Sequence, residues 1–179
     1  AEGYNRTSWT AASFSADGWK SAAGPFGSKK GKSDLGGGYS AATVLDGCNG
    51  SSDTPAYFFR STFDIASLEG MTKLVGTLQY DDGAIVYING RRVAAFDDNA
   101  CDASGASLNK GFDENLQYGG SNTGDPKTAT FELLDLGILH TGTNTVAVEI
   151  HNGRATSSDV WFHMTDLHLS DEKVTYQSN

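Results

Sequence analysis

No apolar run in this sequence comes near the ~20 residues that a membrane-spanning helix needs, so insertion by such a helix is not expected. Basic residues are also few. Thirteen Lys and Arg stand against 22 Asp and Glu, and the net charge of −9 argues against a nucleic-acid partner, whose phosphates reward clustered cations. The only basic cluster, Lys29-Lys30-Gly31-Lys32, lies among glycines and reads as a solvated loop tip. There are just two cysteines, and they lack the CxxC spacing of a structural zinc site. Both sit in polar stretches, Asp46-Gly47-Cys48-Asn49-Gly50 and Asn99-Ala100-Cys101-Asp102. That setting favours a Cys48–Cys101 disulfide between two long loops over two free, partly exposed thiols, and a disulfide would imply an oxidising compartment. No GxSxG nucleophile elbow, heptad, internal repeat or interdomain linker is visible, nor is a signal peptide. Beginning at Ala1-Glu2-Gly3, the chain reads as a processed or excised piece of something longer.

What is present is glycine (22 residues), Ser, Thr, Asn and Asp between apolar runs, and many aromatics: nine Phe, seven Tyr and three Trp. With only three prolines, this is the composition of a packed β domain with many turns, and 179 residues fit about one domain. Strand-like runs cover 57–63, 74–80, 84–89, 92–96, 129–134, 145–151 and 160–169. Leu74, Leu78 and Tyr80 share one side of the second run, and Val146, Val148 and Ile150 define a buried face in the sixth. Asn89-Gly90 is a favoured two-residue hairpin turn, because both residues tolerate positive φ. Residues 65–70 and 134–139 could each hold a helical turn. Segments 24–55 and 97–127 read as long irregular loops, which in a compact domain tend to be functional or mobile. The pattern predicts a single all-β module over 1–179, a jelly-roll or related β-sandwich.

Several motifs carry a resemblance. Trp9 and Phe14-Ser15-Ala16-Asp17-Gly18-Trp19-Lys20, then Gly24-Pro25-Phe26-Gly27, are followed by Tyr57-Phe58-Phe59-Arg60-Ser61-Thr62-Phe63. Next come Asp81-Asp82-Gly83-Ala84-Ile85-Val86-Tyr87-Ile88-Asn89-Gly90, the run 142–151, and Ser157-Ser158-Asp159-Val160-Trp161-Phe162. In order and spacing these resemble the galactose-binding-like jelly-roll modules of secreted bacterial phosphoesterases, glycosidases and surface proteins. The resemblance implies a core at about 9–169 with a tail or linker at 170–179. It also implies a non-catalytic carbohydrate-binding module of a larger secreted or cell-surface protein. The alternative it implies is a structural accessory domain that packs on a neighbouring catalytic domain and binds no glycan. On either reading the chain itself is not an enzyme. The two long loops and both cysteines depart from the family's usual pattern.

Asp81-Asp82-Gly83 also resembles the motif of protective-antigen-like adhesin domains, in which two aspartates joined by a cis peptide hold a calcium ion that chelates sugar hydroxyls. Calcium takes six to eight oxygen ligands, and carboxylates supply both oxygens and charge. Otherwise Asp81 caps the turn, Asp82 is solvated and Gly83 supplies positive φ. The loop from His151 to Asp159 adds His151, Asn152, Arg154 and Asp159, which would share a polar cleft with Asp81 and Asp82 if they lie at the same end of the sandwich. Alternatively, Ser158-Asp159 is a capped turn and His151 bonds the backbone. Tyr118 and Phe112, in the polar loop 109–125, are candidate sugar platforms ahead of Trp19 and Trp161, although loop aromatics often only pin their own loop. His163, Asp166 and His168 are close in sequence, but in a regular strand His163 and His168 face opposite sides, which argues against zinc. Arg60 and Glu149, each inside an apolar strand, suggest an ion pair between sheets.

Overall fold

The computed structural model describes residues 8–97, 118–122 and 124–173. Phe112 and Cys101 lie outside them. Eleven strands and two short 3-10 turns make up the regular structure of the described residues. Two of the strands, β2 (Asp34–Gly36) and β3 (Tyr39–Ser40), pair as a small hairpin.

The first main sheet has five strands in the order β4 (Thr43–Val44), β1 (Phe26–Lys29), β11 (Asp159–Ser170), β6 (Lys73–Asp81) and β9 (Lys127–Leu133). The second has four, in the order β5 (Ala56–Ile65), β10 (Gly142–His151), β7 (Gly83–Ile88) and β8 (Arg91–Phe96). Leu74, Leu78 and Tyr80 from one sheet and Val86, Ile88, Val148 and Ile150 from the other are buried in one core between them. The fold is all-β, a jelly-roll β-sandwich, as the strand pattern predicts. β7 and β8 form the expected hairpin, with Asn89 at φ 48° and Gly90 at φ 82°.

Two expectations need correction. The stretch 24–55 is not irregular, because it supplies β1 to β4, and β1 pairs with β11 from Phe26–Phe162 to Lys29–Asp159. β10 is buried on both faces rather than one: Asn144 to His151 are all buried. The outer face of its sheet carries a second apolar cluster of Trp9, Ile85, Tyr87 and Ala147, against which Phe14 and Phe58 pack. Trp9, held on the 3-10 turn Ser8–Thr10, covers that face and is 0% exposed. Of the two expected helical turns, only Leu136–Ile138 forms, capped by Asp135.

Three sheet-to-sheet crossings meet at one end of the sandwich. Between β6 and β7 the chain changes sheet through Asp82 alone. β10 reaches β11 through residues 152–158, and the connection from β8 to β9 brings in residues 118–122. Ladder pairs His151–Gly83, Trp161–Asp81 and Tyr80–Lys127 place these crossings side by side.

Candidate functional site: an acidic corner between the sheets

Asp81 and Asp82 form the corner at which the chain leaves one sheet for the other, and the peptide joining them is cis. Both are buried, at 1% and 9% exposure, so the solvated-Asp82 alternative is overturned. Gly83 is a strand residue without positive φ. It is required for closeness instead, because a Cβ there would lie 2.8 Å from the Asp97 carbonyl oxygen and 3.0 Å from the Gly120 Cα.

The His151–Asp159 loop closes on Asp82. Asp82 Oδ2 accepts hydrogen bonds from the Gly153 amide at 2.7 Å and from Ser157 Oγ at 3.1 Å. The segment after Tyr118 forms the third wall. The Gly119 amide donates to the Asn152 carbonyl at 3.0 Å, and the Asn122 amide donates to the Asp82 carbonyl at 3.1 Å. Asn122 Nδ2 donates to Asp81 Oδ1 at 3.0 Å and to the Asp125 carbonyl at 3.1 Å.

Three buried side-chain oxygens around this corner accept no hydrogen bond: Asp81 Oδ2, Asn122 Oδ1 and Asn152 Oδ1. An unpartnered buried carboxylate oxygen is costly. The carboxyl of Asp81 is pushed up to about 9, by burial first, then by the charge of Asp82 and that of Asp159. Among the described residues no Lys or Arg forms an ion pair with Asp81, Asp82 or Asp159. Among the described residues the corner therefore has no paired cation and is rich in oxygen atoms that could coordinate one.

The remaining sequence candidates are distributed unevenly. His151 contributes its backbone, whose carbonyl accepts from the Asp82 amide at 3.2 Å. Its imidazole is fully buried and meets Glu149 Oε2 at 2.8 Å, on the outer face of the second sheet. Asn152 is 0% exposed and donates from Nδ2 to the Thr54 carbonyl. Arg154 is exposed, and Asp159 is half-buried at the start of β11, accepting from Ser158 Oγ. Tyr118 donates its hydroxyl to the Asp53 carbonyl and so pins its own segment. Trp161 is buried, with Nε1 on Gln79 Oε1 and its ring edge-on to Tyr39.

Some expectations fail. Cys48 carries a free thiol, 2% exposed in the main core, and not a disulfide. Burial, followed by the charge of Asp53, pushes that thiol up to about 11. Arg60 does not pair with Glu149; it donates to the carbonyls of Ala11 and Phe14 and lies over the Phe14 ring. β5 and β10 belong to one sheet, so that pair could not have joined two. The parity argument for His163 and His168 also fails, because a bulge at Thr165 shifts the register. His163, Asp166 and His168 consequently oppose Gln79, Thr77 and Val75 on one face, where His168 Nδ1 meets Asp166 Oδ2 at 2.6 Å. Among the described residues no group of three His, Cys, Asp or Glu side chains converges as a metal site, there or elsewhere.

Asn122 and Gly120 were not legible as site residues. A Cβ on Gly120 would meet Asp82 Cβ at 2.3 Å and the His151 carbonyl oxygen at 2.4 Å, so that only glycine can bring this segment against the corner.

No protein-family profile and no curated protein matches the sequence. The solved structures to which the chain shows similarity include three glycosidases. A Bacteroides uniformis beta-glucuronidase matches 90% of this chain and 16% of its own at 16% identity, with a TM-score of 0.48. A Bacteroides vulgatus beta-glycosidase matches 87% of this chain and 17% of its own at 16% identity, with a TM-score of 0.43. A Streptomyces avermitilis alpha-L-rhamnosidase complexed with L-rhamnose matches 68% of this chain and 11% of its own at 19% identity, with a TM-score of 0.35. The chain thus spans 11–17% of the length of these three proteins.

Proposed function

We propose that the chain is a non-catalytic carbohydrate-binding module of a larger extracellular protein, and that its acidic corner holds a calcium ion. One observation carries the reading: Asp81 Oδ2 is buried without a partner beside a second buried carboxylate, with no cation paired to either among the described residues. A hard divalent cation with oxygen ligands meets that deficit, as a soft metal would not. Asp81, Asp82 and Asn122 would hold it. A bound calcium ion would supply coordination positions that vicinal sugar hydroxyls fill in place of water. The protein's own part is to keep Asp82 aimed through Gly153 and Ser157, and to keep Asp81 aimed through Asn122.

The test is thermal unfolding of the intact chain with calcium and with chelator, followed by glycan binding under both conditions. At calcium a hundredfold over its Kd, binding adds about 2.7 kcal/mol to stability, which is roughly 5–10 °C in Tm for a chain of this size. Asp82→Asn removes that increment together with chelator-sensitive glycan binding. Identical melting with and without calcium would exclude the ion. Silence on every glycan despite a calcium shift would favour an accessory domain that packs on a catalytic neighbour.

A further inference from the structure

Away from the acidic corner, a cleft of about 1030 Å³ runs along the outer edge of β5, taking in every residue from Ala56 to Phe63. Its volume lies just above the range of roughly 300–1,000 Å³ typical of small-ligand sites. Only four large hydrophobic residues are exposed among those described, and two of them, Trp19 (37%) and Val44 (40%), line this one cleft.

Trp19 has the features of a fixed platform. Its ring stacks on Trp9 at 6.2 Å and 27°, and Phe14 meets it edge-on at 5.8 Å. These contacts hold the indole while leaving over a third of the residue in contact with solvent. Next to it, Lys20 Nζ and Asp46 Oδ2 pair at 2.8 Å with both side chains more than four-fifths exposed. Ser21, Thr43 and Thr62 belong to the same lining, with the Thr43 hydroxyl donated to the Ala23 carbonyl at 2.7 Å. A purely lipidic ligand has no use for an exposed charged pair beside an exposed indole. A sugar ring does, because it has an apolar C–H face and a rim of hydroxyl groups, and a rigid aromatic supplies contact at little entropic cost.

We propose that this cleft is a second carbohydrate site, independent of any cation. Trp19 stacks on a sugar ring there, and the Lys20–Asp46 pair hydrogen-bonds its hydroxyls. The site is separate from the acidic corner and does not depend on what that corner binds.

Tryptophan itself supplies the probe. Trp9 and Trp161 are 0% and 2% exposed, which leaves Trp19 as the indole open to reagent. The intact chain, in chelator, is titrated with cellohexaose, xylohexaose, mannohexaose and maltohexaose. Intrinsic fluorescence is followed, together with protection of Trp19 from N-bromosuccinimide. At least one hexaose is expected to shift the emission and slow the oxidation. Trp19→Ala should weaken association at least tenfold, Trp19→Phe should restore part of it, and Asp46→Ala, a fully solvated change, should weaken it several-fold without altering Tm. Asp82→Asn should have no effect on this binding. The proposal is overturned if all four hexaoses leave Trp19 unprotected. It is also overturned if binding survives Trp19→Ala, if chelator abolishes it, or if only an apolar detergent or an extended peptide occupies the cleft.

Discussion

Asp81 and Asp82 are adjacent and alike in chemistry, yet the corner treats them differently. Asp82 has two donors on one oxygen, whereas Asp81 has an amide on one oxygen and nothing on the other. The difference yields a prediction about pH. In the metal-free protein the Asp81 carboxyl titrates near 9, against 3.8 for the free side chain, chiefly because it is buried. Between those values the native chain binds a proton that the unfolded chain has lost, so stability falls as pH rises through this window. Melting in chelator from pH 5 to pH 9 should therefore show a declining Tm contribution that is absent from Asp81→Asn. Excess calcium should flatten the decline. A second prediction concerns Gly120. Adding one methyl group there forces Asp82 and the His151 carbonyl apart, and overpacking of this kind typically costs about 1–3 kcal/mol. Gly120→Ala should lower the urea midpoint and lose the calcium increment, whereas Ser121→Ala, which gives up one exposed hydrogen bond to the Asp97 carbonyl, should lower the midpoint less and keep the increment.

At the scale of elements, what was legible in the sequence tracks what periodicity can carry. β5 to β11 were found because their apolar residues recur with the period of a strand. The Asn89-Gly90 turn was found because its backbone demands residues that accept positive φ. β1 was missed because Phe26-Gly27-Ser28-Lys29 has one large apolar side chain, and its place is fixed by pairing with β11 rather than by pattern. The acid pair was legible by likeness, but its third wall was not. Asn122 sits in a Ser-Asn-Thr-Gly stretch that reads as any loop, and only the tertiary crossing carries its amide to Asp81. Cys48 was misjudged for a related reason. Its polar sequence neighbours turn outward, while the thiol itself enters the core. The hairpin also supports a prediction. Asn89 donates to the Ile138 carbonyl and to Asn144 Oδ1, and it accepts from the Thr145 amide. Asn89→Ala leaves the buried Thr145 amide and the half-buried Ile138 carbonyl without these partners, at about 1–3 kcal/mol for a buried group if nothing replaces the bond, and should lower the denaturation midpoint more than Asn49→Ala in an exposed turn.

On the scale of the whole molecule, the two central strands of the second sheet, β10 and β7, are buried on both faces. The inner face of this sheet meets the first sheet, and on its outer face Trp9, carried on a short 3-10 turn, packs with Phe14 and Phe58. Trp9 packs edge-on against Phe58 at 5.0 Å and Tyr87 at 5.7 Å, and stacks with Trp19 at 6.2 Å. Through Trp19 it links the covering of the sheet to the edge cleft. Through Tyr87, whose hydroxyl donates to Glu149 at 2.8 Å, it shields the buried Glu149–His151 pair. Removing a buried tryptophan side chain costs about 3–5 kcal/mol, and here the cavity would also open a path for water to two buried ionisable groups. Trp9→Ala should therefore lower stability by at least that range. It should also speed hydrogen exchange along β7 and β10 more than along β6 and β11, which lie in the other sheet. If exchange rises equally in both sheets, the two cores act as one cooperative unit and Trp9 supports the whole sandwich. If it rises only in the second sheet, the outer cluster can open while the inner core and the acidic corner persist. Calcium binding measured on the same variant would then be retained while binding in the edge cleft is lost.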